Sequence, residues 1–165
     1  MNVPCGLNVS TPSDVEIVMT RDFDAPRRLV WEAMTRPDLL RQWMYMPEGW
    51  TMAVCTGDVR VGGRFEWIWH GPDGQVSLII RGEYREVNPP ERIVHTEAME
   101  MGCGGPIGEL LATLVLTELA GRTSMRMTLL FDTKQARDGA LASGMEHGME
   151  AGYRQLDAYF SKIPK

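Results

Sequence analysis

Cysteine is scarce in this chain: Cys5, Cys55 and Cys103 are three in 165 residues, odd in number and far apart. That usage excludes a disulfide framework and offers no C-x-x-C pair for metal or redox chemistry, so reduced thiols in a cytoplasmic protein are expected. Cys103 sits between glycines without a neighbouring cation or helix start to lower its pKa, and reads as incidental. Histidine is equally sparse, and His70, His95 and His147 fall in three separate predicted elements, so no metal site is nominated. Basic residues are scattered in a chain of net charge −5, which leaves no electrostatic footprint for nucleic acid or anionic lipid. No run approaches the roughly 18 apolar residues that span a bilayer, and the opening MNVPCGLNVSTPSD lacks the basic and apolar segments of an export signal. Neither membrane insertion nor export is expected. Familiar catalytic signatures are missing as well: there is no H-E-x-x-H, no G-x-S-x-G and no phosphate loop. The Gly102 to Gly108 run fails the dinucleotide fingerprint because Ile107 occupies its third glycine position, and it reads as a mobile loop. No cofactor is implied and no catalytic residue is nominated.

What remains is an ordinary globular composition, 44% hydrophobic and 24% charged, in a length that suits one domain. Residues 1–14 show little periodicity and read as an irregular arm; residues 15–162 hold the domain. VEIVMTRDF, Val15 to Phe23, alternates Val15, Ile17 and Met19 against Glu16, Val18 and Thr20, as a half-buried strand should. The period then changes. Asp24 is placed to accept hydrogen bonds at a helix start, Pro26 suits its first turn, and Leu29, Val30, Ala33 and Met34 make one stripe. Pro37 opens a second short helix that carries Leu39, Leu40 and Trp43. From Thr51 to Asp132 six strand-like runs are divided by turn signals such as Gly71-Pro72-Asp73-Gly74 and Ala120-Gly121. Residues 136–161 contain no proline, and Leu141, Met145, Met149, Leu156 and Phe160 recur at helical spacing. At about 1.5 Å per residue, one continuous helix there reaches about 39 Å. Strand, two short helices, six strands and a long helix make an α+β plan: a curved antiparallel sheet with a helix across one face.

Twelve Met and seventeen Gly are the unusual entries in the composition. Gly144, Gly148 and Gly152 recur every four residues beside Met145 and Met149, a bare ridge that gives up roughly 3 kcal/mol of helix propensity. Two readings remain open: close backbone packing against the sheet, or room for a ligand between helix and sheet. Trp43, Trp67 and Trp69 carry the same ambiguity, as core or as cavity wall. His147 shares a helix face with Glu146, Glu150, Arg154 and Asp157, which reads as solvated surface.

Four blocks carry a resemblance: FDAPRRLVWEAMTRPDLLRQWM (Phe23 to Met44), DVRVGGRFEWIWHGPDG (Asp58 to Gly74), GEYREVNPPERIVHTE (Gly82 to Glu97) and ARDGALASGMEHGMEAGYRQLDAYF (Ala136 to Phe160). Together they resemble the bacterial SRPBCC proteins, and more narrowly the single-domain branch similar to the activator of the heat-shock-protein-90 ATPase. That branch is related to START and birch-pollen-allergen-like domains. The resemblance implies a helix-grip fold: a curved seven-stranded antiparallel sheet around a long C-terminal helix, with two short helices between strands 1 and 2 closing an apolar cavity. It implies no catalytic motif at any numbered residue.

The functional expectation is binding of a small hydrophobic or aromatic molecule, lipid-, polyketide- or flavonoid-like, in that cavity. Its lining is expected from Trp43, Trp67, Trp69, Tyr84, His95, Met127, Met145, Met149 and Tyr153. An alternative is a cyclase-, dehydratase- or hydrolase-like enzyme that uses His95, Glu97 or Arg81 in the same space, because an apolar site shifts ionisable groups towards neutrality. A further alternative is a stress-linked or chaperone-associated interaction module, which brings in a homodimer as a partner expectation.

Overall fold

The computed structural model describes residues 6–102 and 106–164. They form eight strands and four helices in the order β1 (Asn8–Ser10), β2 (Glu16–Phe23), α1 (Arg27–Thr35), α2 (Pro37–Trp43), β3 (Thr51–Gly57), β4 (Arg64–His70), β5 (Ser77–Asn88), β6 (Arg92–Met101), β7 (Pro106–Leu119), β8 (Arg122–Phe131), α3 (Lys134–Ala142) and α4 (Met145–Ser161). All strands join one antiparallel sheet in the order β1-β2-β8-β7-β6-β5-β4-β3. The hairpins follow from their turns. Ala120 (φ 52°) and Gly121 (φ 75°) are the two left-handed residues of a tight turn joining β7 to β8, the geometry whose twist matches paired strands.

Four local expectations are corrected. The arm contains β1, which pairs with β2 through Val9 opposite Met19, because Leu7 and Val9 pack apolar side chains onto the core. Pro26, rather than Asp24, occupies the N-cap of α1, and the Arg27 amide donates to the Glu118 carboxylate at 2.7 Å. The run from Gly102 is not loop throughout, since β7 begins at Pro106; Cys103 lies outside the described residues. The long helix is two. Gly144 takes φ 81°, a left-handed conformation that a helix interior does not accept, and so ends α3 and caps α4.

The strand period of 2 sends Ile17, Met19, Arg21 and Phe23 of β2 to one face, and α3 and α4 cover that face. Three of the four are apolar and have no exposed surface, each worth about 1.5–3 kcal/mol when buried. The fourth is an arginine whose side chain is also fully buried. Its guanidinium is held from α4: Nη2 donates to Asp157 Oδ2 at 2.7 Å, Nη1 to Asp157 Oδ1 at 3.0 Å, and Nε to Glu150 Oε2 at 3.2 Å. Glu150 Oε2 also accepts the Leu7 amide at 2.9 Å, so one carboxylate joins the arm, the sheet and the helix. The Arg21 guanidinium lies 5.0 Å from the Phe23 ring centre and 5.7 Å from that of Tyr153, and the rings shield it from water.

At the other flank α2 is pinned to both helices. The Trp43 indole donates to the Ala33 carbonyl at 2.8 Å and stacks on Tyr153 with ring centres 5.6 Å apart. Gly152 permits this approach: a Cβ there would stand 3.2 Å from the Trp43 carbonyl oxygen and 3.4 Å from the Tyr45 nitrogen, both backbone atoms. At Gly148 a Cβ would meet only the Tyr45 ring edge, at 4.0 Å. The ridge therefore resolves into a cap, a position with space and a close contact.

Disrupting this packing should have measurable consequences. Removing both carboxylate charges (Glu150→Gln with Asp157→Asn) strands a buried guanidinium and should cost about 3–5 kcal/mol in urea unfolding. Arg21→Met should cost less, since both carboxylates keep some contact with water. Burial by itself would raise the Glu150 pKa, but hydrogen bonds from Arg21, Arg154 and the Leu7 amide outweigh it and hold the carboxyl below its ordinary 4.5. Its contribution to stability is thus complete above pH 4.5 and lost as pH falls through the lower native value, which an acid unfolding series should trace and Arg21→Met should flatten. Among the glycines, Gly148→Ala should stabilise by about 1 kcal/mol in thermal melts, whereas Gly152→Leu should destabilise by about 1–3 kcal/mol through overpacking.

Candidate functional site

The covered face of the sheet is where chemistry-bearing side chains gather. One row crosses five strands: Tyr84, His95, Ala112, Leu129 and Ile17 lie side by side through successive pairings. The same face carries Phe65, Trp67 and Trp69 of β4, with Glu97 and Met99 beyond His95 on β6. Gly82, opposite Phe65, makes room for it; a Cβ at Gly82 would stand 2.6 Å from Phe65 Cε1. The Phe65 ring consequently lies over β5 and meets Trp67, His95 and Tyr84 with centres 4.7, 5.0 and 5.5 Å away.

Packing on this face is divided rather than continuous. A large core cluster gathers Phe23, Val30, Phe65, Trp69, Tyr84, Leu114, Tyr153 and Leu156 with their neighbours, and a small one holds Ile17, Met19, Ala112, Leu129 and Phe131 under α3. Met127 and Met149 pack against both and remain partly exposed, so they mark a seam between the clusters. Ala112 of the small cluster lies opposite His95 in the sheet.

Polar atoms on this face are incompletely matched. His95 Nε2 lies 3.3 Å from Glu97 Oε2, with both side chains largely buried. His95 Nδ1 and Trp67 Nε1 are buried and meet no hydrogen-bonding group among the described residues. A buried polar group left in that condition costs about 1–3 kcal/mol, so two of them on one face are unusual.

The nine residues expected to line a cavity separate in this arrangement. Trp69, Tyr84 and Tyr153 are buried in the large cluster, and Trp43 packs against it from α2. Met127 and Met149 form the seam, His95 lies between Phe65 of the large cluster and Ala112 of the small one, Trp67 packs against the large cluster, and Met145 packs over the small one. Glu97 faces inward with His95, but Arg81 does not: it lies on the outer face between Glu66 at 3.4 Å and Glu100 at 3.6 Å. It points outward because its strand neighbours Ile80 and Gly82 occupy the inner positions. Glu150 and Asp157, expected as solvated surface, turn inward to Arg21, while His147 and Arg154 are exposed. Arg21 itself was legible in the alternation, since continuing Ile17 and Met19 by two places puts it on the apolar face. Two open depressions, of about 530 and 590 Å³, lie on the outer side of the sheet around Glu109 and Thr96. Neither includes Trp67, His95 or Met127. Among the described residues, no group of His, Cys, Asp and Glu is arranged to hold a metal, and no helix is long and apolar enough to cross a membrane.

The apolar surroundings show in the phenols. Burial first, and then the nearby Cys55 and Asp58, push the Tyr84 hydroxyl up to about 12, so it stays neutral well past the ordinary phenol range. Burial raises Tyr153 as well. A phenol whose native pKa exceeds its unfolded value stabilises the fold fully below the unfolded value of 10.0 and loses that contribution as pH rises above it. Spectrophotometric titration at alkaline pH should therefore show two of the four tyrosines ionising only as the protein unfolds, and Tyr84→Phe should leave one such late step.

Comparison with known proteins agrees with this geometry. No curated protein matches the chain. A crystal structure of a Rhodobacter sphaeroides protein is 31% identical, with a TM-score of 0.85, over 96% of this chain and 99% of that one. A solution structure of an Arthrobacter aurescens protein is 25% identical, with a TM-score of 0.78, over 96% of this chain and 93% of the other. The Mycobacterium smegmatis protein Ms6760 is 22% identical over 93% of this chain and 96% of its own, and its TM-score of 0.79 speaks to the fold alone. The family described as Activator of Hsp90 ATPase homolog 1-like protein matches residues 24–161, from the turn before α1 to the end of α4. With that span matched and the helix-grip architecture in place, the chain belongs to the Activator of Hsp90 ATPase homolog 1-like family.

Proposed function

We propose that this protein binds a small, mostly apolar molecule, lipid-, polyketide- or flavonoid-like, between the inner face of the sheet and α4, for transport, sequestration or sensing. The observation that carries this reading is the pair of unpartnered buried nitrogens, His95 Nδ1 and Trp67 Nε1, on two rings that both touch Phe65, on the face that also carries partly exposed methionines. Apolar walls with a few converging polar groups are the usual make-up of a small-molecule site. Methionine suits such walls because its unbranched, polarisable side chain adapts to different shapes. The helix-grip fold of this family commonly binds hydrophobic ligands, which supports the same reading.

Thermal-shift measurements against fatty acids, fused-ring aromatics and phenols should find compounds that raise the melting temperature. A ligand at 100 times its Kd adds about 2.7 kcal/mol to stability. Met127→Trp, which fills the seam, should remove that shift and leave the unliganded protein folded. If no compound raises the melting temperature, and native mass spectrometry of the purified protein releases no small molecule, the reading fails.

A further inference from the structure

We infer, building on the pocket proposed above, that its ligand must bring a hydroxyl donor to His95, and that Glu97 is the positioning residue that sets this demand. A carboxylate only accepts hydrogen bonds, so the contact between Glu97 Oε2 and His95 Nε2 at 3.3 Å places the ring proton on Nε2. A ring that carries this single proton presents a lone pair at Nδ1, and Nδ1 is the atom that is buried without a protein partner. Among the described residues, the neighbours of the ring supply no donor to it. Phe65 meets the ring edge-to-face at 5.0 Å and offers only carbon. The Tyr84 ring is 6.0 Å away, and its hydroxyl ends beside Gly57 of β3, 3.7 Å from where a Cβ would stand.

Trp67 supplies the complementary half. Its indole Nε1–H can only donate, is equally buried and unpartnered, and its ring rests against the same Phe65 ring, with centres 4.7 Å apart. Two unpartnered atoms, an acceptor and a donor, thus belong to rings that both touch Phe65. The matching molecule is flat and apolar, with a hydroxyl for His95 and a separate oxygen acceptor for Trp67. A hydrocarbon chain without a hydroxyl would leave Nδ1 buried and unpaired, and an ether oxygen would face a second lone pair. Discrimination by an unpaired buried group of this kind is stronger than discrimination by shape in an apolar pocket.

The test uses a matched pair of probes, 2-naphthol and 2-methoxynaphthalene, with the full-length protein in isothermal titration calorimetry at neutral pH. 2-Naphthol should bind about tenfold more tightly, the effect of leaving one buried acceptor unpaired. His95→Phe should abolish the preference while still binding the ether. Glu97→Leu should reduce it to about threefold or less, because a ring free to choose its tautomer can donate to the ether oxygen. Long-range ¹H–¹⁵N correlation of the histidine ring in the ligand-free protein should find a proton on Nε2 alone; a proton on Nδ1, with or without one on Nε2, would overturn the inference without reference to binding or to any variant. Equal affinities for the two probes would overturn the hydroxyl requirement and leave the pocket standing. Binding of neither probe would count against the pocket and the requirement together.

Discussion

An arginine side chain with no exposed surface can persist only where carboxylates reach it, and that requirement governs how this fold closes. Arg21 stands on the apolar face of β2 because its register with Ile17, Met19 and Phe23 leaves it nowhere else to point. Asp157 and Glu150 sit seven residues apart, two turns of α4, and so face the sheet together. Their joint grip sets the position of α4 along β2. The stacking of Trp43 on Tyr153, the approach of the chain at Gly152 and the anchoring of Leu7 all take their places around it. Hydrophobic burial supplies most of the stability of such a domain, but it is nondirectional. The ion pair supplies direction.

The two polar regions of the inner face differ in how completely they are answered. At Arg21, donors and acceptors meet at hydrogen-bond distance and aromatic rings close over them. At His95 the Glu97 carboxylate satisfies one ring nitrogen and leaves the other without a partner among the described residues, as is also true of the Trp67 indole. The same face of the fold thus matches one buried charge fully and leaves two nitrogens unmatched. The methionines at the seam fit that contrast, since they close space without fixing its shape.

The sheet and the short helices were legible in the sequence because each depends on local periodicity: alternation in VEIVMTRDF and in the β7–β8 hairpin, and Pro37 between two apolar stripes. The break at Gly144 was not. Leu141, Met145 and Met149 keep a helical stripe through it, and only the backbone conformation of Gly144 separates the two helices. Glu150 and Asp157 were read as surface for a related reason. Their helix face looks uniformly charged until the strand opposite is known to carry an arginine, a contact between residues 129 and 136 positions apart. For His95 and Glu97, spacing placed both on one face of β6, but their pairing and the unmatched nitrogen depend on side-chain geometry that no periodicity encodes.

The interruption between α3 and α4 also separates two duties. Met145 to Ser161 is anchored through Glu150 and Asp157, whereas Lys134 to Ala142 is held by its own contacts, a Thr133 cap and a hydrogen bond from Arg137 to the Ser13 carbonyl at 2.6 Å. A residue inserted or lost at Ser143-Gly144 would shift α3 over the small cluster while the anchored helix kept its register. Descendants of this chain can therefore change the size and slope of one wall of the seam by altering a single connection, at no cost to the ion pair that holds the domain closed.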